Sequence, residues 1–291
     1  MKRKTHPYLT RQSMLSNDYE IFHYSDRGLD KVSLHHHDFY ECYLFLSGEV
    51  TYLIEGKTYS LRPGDVILIN STELHQPIIH NKDIPYERMV LWIDKAFLRS
   101  LSSAATDLTR CFEDSEKENV LRTDFESCQN VQMLLSKLLC LENYTGIGSE
   151  LLYKIYLMEL FVYLNNLIFS NSILPGVEVK KSNLINGIIH YINNHLDEQI
   201  RIDHLSEYFF ISKFHLLREF KKHSGTTIHK FIIQKKLILA KELILKGIPI
   251  ISVYEQCGFG DYSNFFRAFK NEYGVTPKYF YQLMTKNVDA H

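Results

Sequence analysis

Apolar positions recur along this chain at two different periods. Between residues 32 and 93 they come in short runs, Tyr40 to Leu46, Val50 to Ile54, Lys57 to Leu61, Asp65 to Asn70 and Tyr86 to Ile93, punctuated by Ser47-Gly48, Glu55-Gly56 and Pro63-Gly64. Short runs of β-branched and aromatic residues between turn residues predict strands, and their spacing predicts a small antiparallel barrel. From residue 96 to about 175 the period becomes helical. Phe125 to Leu141 and Ser149 to Phe169 are apolar around much of their circumference, so each must bury two sides, one against the barrel and one against a second subunit. Lys154, Glu159, Asn165 and Asn166 make the second of these too polar for a membrane span. The polar run Ser170 to Lys181, with Pro175-Gly176, predicts a linker.

The last hundred residues carry one pattern twice, 49 residues apart. Arg218, Phe220, Lys221, Gly225 and Thr227 are repeated by Arg267, Phe269, Lys270, Gly274 and Thr276. Each copy closes a helix whose apolar positions fall three or four apart, and each has a Gly placed to stop it. Ser212 and Asp261 stand where an N-cap is needed, because their short oxygen-bearing side chains accept from free first-turn amides. Ahead of each lies a shorter apolar helix, Ile202 to Phe209 and Ile250 to Cys257. Helix, tight connection, helix, with basic side chains on the second, is the organisation of a DNA-reading helix-turn-helix.

At these residues the chain resembles the DNA-binding domain of the AraC/XylS family of transcription regulators. Ser212-Lys213-Phe214-His215-Leu216-Leu217-Arg218-Glu219-Phe220-Lys221-Lys222 is similar to the family's first recognition helix. Gly258 to Lys270, closing with Gly274-Val275-Thr276-Pro277, is similar to its second-repeat signature. The resemblance covers residues 182 to 285. Where the family usually has Ala in the first helix of each repeat this chain has Ser206 and Tyr254, and the usual Arg of the joining helix is Lys236. The lysine keeps the charge but loses bidentate phosphate geometry. The resemblance implies that Phe214, Leu217 and Arg218 face the groove in one recognition helix while Leu216 and Phe220 pack inward. In the other it implies Tyr262, Ser263, Asn264 and Arg267 outward, with Phe265 and Phe269 inward. Ser212, Lys213, Lys221 and Lys270 complete the expected DNA-contacting set, the lysines on phosphate.

Net charge agrees only once the chain is divided. The formal total is -1, yet residues 182 to 291 hold 14 Lys plus Arg against 10 Asp plus Glu, and residues 1 to 181 hold 19 against 24. The C-terminal part alone has the sign that meets phosphate. Five Cys, at 42, 111, 128, 140 and 257, include no Cys-x-x-Cys pair, so neither a disulfide framework nor a zinc finger is predicted and a reducing, cytoplasmic location is expected. The basic start Met1-Lys2-Arg3-Lys4 is not followed by an apolar signal core.

In the N-terminal half, His35-x-His37-x3-Glu41-x6-Gly48, then Gly56, Pro63-Gly64-Asp65 and His75, resembles the two motifs of the cupin superfamily over residues 30 to 95. The second motif is partial, because His75 comes about ten residues late. Cupin barrels supply the sensor domain in many regulators of the AraC type, so the two resemblances support each other. His35, His37, Glu41 and His75 suit a first-row divalent metal, or contacts to a small polar effector, or polar packing alone. Strand alternation adds Tyr43 beside Glu41, and Arg88 with Trp92 on the last strand, to the effector-binding candidates. An inward Arg88 needs an anionic or carbonyl partner, which a ligand, Glu41 or Glu87 can supply.

The expectation is thus a multidomain β plus α chain. Residues 1–95 form a cupin-like effector-sensing β-barrel, 96–175 a helical dimerisation and linker region, and 182–285 an all-α DNA-binding domain with two helix-turn-helix motifs. Its partners are operator DNA, a small effector such as a sugar or sugar derivative, and a second subunit, with transcription machinery beyond. No cofactor is fixed by the sequence. The rival reading, a metal-dependent cupin enzyme with a DNA-binding appendage, lacks a nucleophile with a base and an orienting group, so no enzymatic activity is expected.

Overall fold

The computed structural model describes residues 13–29, 32–114, 117–169, 179–180 and 182–286. The chain forms two compact units whose main boundary falls at Lys180 and Lys181. In the first, the strands are β1 (Tyr19–Asp26), β2 (Tyr40–Ser47), β3 (Val50–Ile54), β4 (Lys57–Ser60), β5 (Val66–Ile69), β6 (His75–Ile79), β7 (Tyr86–Ile93), β8 (Val120–Leu121) and β9 (Val179–Lys180). Its helices are α1 (Lys95–Ser100), α2 (Arg110–Glu113), α3 (Phe125–Leu141) and α4 (Ser149–Phe169). Most of the predicted linker lies outside the described residues, but Val179 and Lys180 at its end form a strand on β4.

The strands pair in two sheets, ordered β1-β7-β2-β5-β8 and β6-β3-β4-β9. They enclose one core without closing into a single hydrogen-bonded ring among the described residues. Alternation along β2 explains what fills that core. Glu41 pairs with Trp92, Tyr43 with Val90 and Phe45 with Arg88, and Tyr43, Phe45, Val90 and Trp92 join Tyr52, Ile54 and Tyr59 of the other sheet in one buried cluster. The alternate residues Tyr40, Cys42 and Leu44 turn to the opposite face. There they pack with Met89 and Leu91 against Leu134, Leu135 and Leu138 of α3 and Leu157, Phe161 and Leu164 of α4. Because both faces of the five-stranded sheet are covered, β2 is buried through its first six residues. Helix α4 keeps a second apolar stripe outside this core: Leu151, Ile155, Val162 and Phe169 are exposed.

The second unit is all helical, with α5 (Asn183–Asn194), α6 (Ile202–Tyr208), α7 (Lys213–Ser224), α8 (Ile228–Leu245), α9 (Ile250–Gln256), α10 (Tyr262–Tyr273) and α11 (Pro277–Lys286). The repeat dictates its punctuation. Ser212 Oγ accepts from the His215 amide at 3.2 Å and Asp261 from that of Asn264 at 2.8 Å, opening α7 and α10. Gly225 at φ +71° and Gly274 at φ +73° close them in the left-handed conformation. The threonine ending each copy then caps the next helix: Thr227 accepts from the Lys230 amide and Thr276 from that of Tyr279, both at 3.2 Å. The repeat is therefore a stop followed by a start. Its two halves differ in one place, since four residues join α6 to α7 but five join α9 to α10. Helix α8 threads the unit, with Leu237, Ala240 and Ile244 in the core that also holds Phe265, Phe269 and Phe280.

Candidate nucleic-acid interface and effector pocket

The burial of α7 and α10 separates packing from presentation. Leu216, Phe220, Phe265 and Phe269 are fully buried, whereas Phe214 is 74% exposed, Leu217 40% and Tyr262 41%. Ser212, Lys213, Arg218 and Lys221 on one helix, and Ser263, Asn264, Arg267 and Lys270 on the other, are also exposed. On α10 the polar groups are chained together. The Asn264 carboxamide donates to the Asp261 carboxylate, and Arg267 Nη2 donates to Asn264 Oδ1 at 2.6 Å. On α7, Arg218 donates to Glu219 at 3.2 Å and meets His215 Nδ1 at 3.3 Å, while Lys213 Nζ donates to Asp203 of α6 at 2.8 Å.

The residues that depart from the expected pattern go elsewhere. Tyr254 does not displace the core of the second repeat, because its ring sits at the rim with its centroid 5.7 Å from that of Tyr262. Lys236 does not lie where phosphate geometry matters. It is 3% exposed and donates to the backbone carbonyls of Glu198 at 2.5 Å and Gly258 at 2.6 Å.

In the first unit three imidazoles gather. His35 and His75 form an isolated antiparallel bridge, with ring centroids 4.3 Å apart, and the His37 ring lies 4.8 Å from that of His75. Each is oriented by a backbone carbonyl accepting from its Nδ1: Ser33 for His35 at 2.8 Å, Phe39 for His37 at 2.9 Å and Glu73 for His75 at 2.9 Å. A carbonyl only accepts, so Nδ1 carries the proton and the lone pair of each neutral ring sits on Nε2. Nε2 of His75 is buried and makes no hydrogen bond. Nε2 of His37 is 3.7 Å from Oε2 of Glu41, which accepts from Trp92 Nε1 at 2.8 Å. Burial pushes the Glu41 carboxyl up to about 7, against the smaller opposing effects of Trp92, Arg88 and Tyr52. Burial lowers His75 well below the ordinary imidazole range, with the neighbouring His35 and His37 adding to it.

Ligand atoms of His37, Glu41 and His75 lie within 4.8 Å of one another. Ligands about 2.1 Å from one ion lie at most about 4.2 Å apart, so the donor types fit a first-row metal after a small contraction.

Tyr43 and Arg88 belong to a neighbouring cluster. Tyr43 donates to the Tyr86 hydroxyl at 2.7 Å, and Arg88 Nη1 donates to Asp26 at 2.7 Å and to the Tyr86 carbonyl at 2.9 Å. Arg88 is thus paired with Asp26 and also acts through its charge on the Glu41 carboxyl, while Glu87 meets His23 at 2.8 Å. Tyr52 links the two clusters, with ring centroids 5.7 Å from Tyr43 and 6.3 Å from His75. The alternation of β3 places Tyr52 inward, which is the sequence signal that adds it to the pocket candidates.

Comparison with known proteins agrees with both halves. The AraC-like ligand binding domain family matches residues 19–161, and a helix-turn-helix domain family matches residues 205–282. The chain belongs to the AraC family of transcription regulators. As a member it is a sequence-specific DNA-binding regulator with an N-terminal effector-binding domain. The HTH-type transcriptional activator RhaS of Escherichia fergusonii is 25% identical over 246 residues, 84% of this chain and 85% of that protein. RhaS of Enterobacter sp. (strain 638) is 23% identical over 245 residues, with the same shares. The solved structure of ToxT from Vibrio cholerae, 17% identical, covers 91% of this chain and 98% of its own, with a TM-score of 0.37.

Proposed function

We propose that both recognition helices of one subunit read one bipartite operator. The observation that carries this is the doubled exposed face, Phe214, Leu217 and Arg218 on α7 and Tyr262, Ser263, Asn264 and Arg267 on α10, each backed by fully buried side chains. Two such helices enter successive major grooves about 34 Å apart on one side of the duplex. Arg218 and Arg267 pair with guanine and Asn264 with adenine, while Phe214 and Leu217 meet thymine methyl groups. Lys213, Lys221 and Lys270, with the Ser212 end of α7, hold phosphates. Selection of binding sites from random duplexes tests the assignment.

The effector of this reading is a small polar molecule, a sugar or sugar derivative being the class whose hydroxyls suit mixed imidazole, carboxyl and indole donors and acceptors. It is held by His35, His37, Glu41, His75 and Trp92, with Tyr43, Tyr52 and Arg88 bracing the site from the adjoining cluster. A second reading is favoured by the converging lone pairs: His37, Glu41 and His75 hold a divalent ion, which supplies a Lewis-acidic anchor for an oxygen of the effector. Titration of candidate effectors with and without chelator, followed through DNA affinity, separates the two.

Subunits pair through the exposed stripe of α4, and the protein works in the cytoplasm on DNA and the transcription machinery. The relatives are regulators, which supports a sensor and not an enzyme in the N-terminal unit.

A further inference from the structure

The turn of the second helix-turn-helix meets the α5–α6 connection, which leads into the first, at a polar junction. On one side is the connection between α5 and α6, which offers the Glu198 carbonyl and the Gln199 side chain; on the other is the turn between α9 and α10, with Gly258 and Gly260. Lys236 of α8 reaches between them and donates to both the Glu198 and the Gly258 carbonyls. Gly258 has φ +60°, and a Cβ there would collide with the Glu198 carbonyl and come within 2.6 Å of Lys236 Nζ. At Gly260 a Cβ would meet only the mobile end of Gln199, at 2.9 Å. Backbone therefore approaches backbone at this point, and one ammonium bridges the two carbonyls.

We infer that Lys236 is a positioning residue which locks the second helix-turn-helix against the first and thereby sets the half-site spacing that the protein accepts. This rests on the reading that α7 and α10 engage one operator. A rigid pair of helices matches only one separation and one rotational phase along the duplex, since each added base pair moves the second site by about 3.4 Å and turns it by about 35°. Without the ammonium the two carbonyls lose their shared donor, and the motifs remain joined by α8 and its apolar contacts. Each motif should then still bind, but with less dependence on spacing.

The groups facing the ammonium are Asp197 and Glu198 on the loop, the Cys257 thiol at the end of α9 and the Phe259 ring, 5.8 Å away. Burial lowers Lys236 to about 8, the three titratable neighbours opposing that. Burial pushes Cys257 up to about 12, so the thiol stays neutral while the lysine titrates.

The test uses the full chain and a bipartite operator obtained by selection with the wild type, in versions whose spacer is changed by one or two base pairs, together with a single half-site. Wild type should show a sharp optimum. Lys236→Met should bind the optimal operator about tenfold more weakly, having lost two charge-assisted hydrogen bonds. It should bind the single half-site as before, and lose at least half of the wild-type discrimination between spacers. Lys236→Arg, which can donate to both carbonyls, should restore the optimum. Should Lys236→Met fail to fold, wild type between pH 7 and 9 gives a weaker form of the readout: the neutral amine keeps N–H donors for both carbonyls but loses the charge assistance, so its spacing preference should partly flatten while that of Lys236→Arg does not. Unchanged discrimination in Lys236→Met, or a uniform loss on every spacer and on the single half-site, overturns the proposal. A wild type indifferent to spacing overturns the bipartite reading as well, and is told apart by the wild-type data alone.

Discussion

Arg267 donates to the side-chain oxygen of Asn264 at 2.6 Å, one turn apart on the exposed face of α10. Asn264 in turn donates to Asp261, the residue that caps the helix. The cap, the amide and the guanidinium form one hydrogen-bonded chain, so on the proposed reading these groups are oriented before DNA arrives and less side-chain entropy is lost on binding. The two should act as a unit. Asn264→Ala and Arg267→Ala should each weaken operator binding by about 1 to 3 kcal/mol, and the double variant by clearly less than the sum. Additive losses in a double-mutant cycle of DNA affinity would show that the free-state bond has no part in recognition.

The first helix presents a different chemistry. With Phe214 74% exposed and Leu217 40% exposed beside Arg218, the proposed reading puts an apolar pair against the base edges. Its natural partner in the major groove is the thymine methyl group. Replacing single thymines by deoxyuridine in the half-site read by α7 should cost the wild type several-fold in affinity at one or two positions, and cost Phe214→Ala nothing further at its own position. Equal losses in both proteins would remove Phe214 from the base-reading set.

Much of this was legible in the sequence, for identifiable reasons. Strands β3 and β7 and helices α3 and α4 have the bounds of the apolar runs read from the sequence, and the exposed and buried sets of α7 and α10 are those that the family resemblance implies; apolar spacing alone would have put Phe214 and Leu217 on the same face as Phe220. What escaped was non-local. Strand β6 contains Pro77, which weakens a strand prediction, and it is tolerated because β6 lies at a sheet edge. Strand β1 precedes the first run bounded by turn residues, and with it went Asp26, so the partner of Arg88 could not be found. Lys236 was read by residue type alone. Only the fold brings Glu198 and Gly258 to it.

The Glu41 carboxyl gives the N-terminal unit a pH signature. Burial raises it from 4.5 to about 7, so the folded state holds that proton more tightly than the unfolded chain does. Its contribution is complete below pH 4.5 and is lost as pH rises through 7, on the order of 3 kcal/mol in full. His75, lowered by burial, acts in the opposite sense, with stability present above pH 6.5 and lost as pH falls. Because both proteins keep His75, comparing wild type with Glu41→Gln isolates the carboxyl. Trp92, the single tryptophan, donates to Glu41 and reports unfolding of this unit by fluorescence. In urea with chelator, wild type should lose about 3 kcal/mol relative to Glu41→Gln between pH 4 and 8. Parallel pH profiles would mean that Glu41 is solvated.

The apolar stripe of α4 predicts the assembly. Leu151, Ile155 and Val162 are exposed at spacings of four and seven, the repeat of a helix seam. Ile155→Glu should leave the fold intact and convert a dimer to a monomer in sedimentation at micromolar concentration. A wild type that is already monomeric, with and without DNA, would refute pairing through this helix.

The central claim is that one subunit reads two half-sites through Arg218 and Arg267. Binding-site selection on wild type, Arg218→Ala and Arg267→Ala tests it most directly. Each variant should lose base preference at one position, in different half-sites about one helical turn apart, while Lys221→Ala weakens binding alike on all sequences. Base preferences unchanged in both arginine variants would contradict the account.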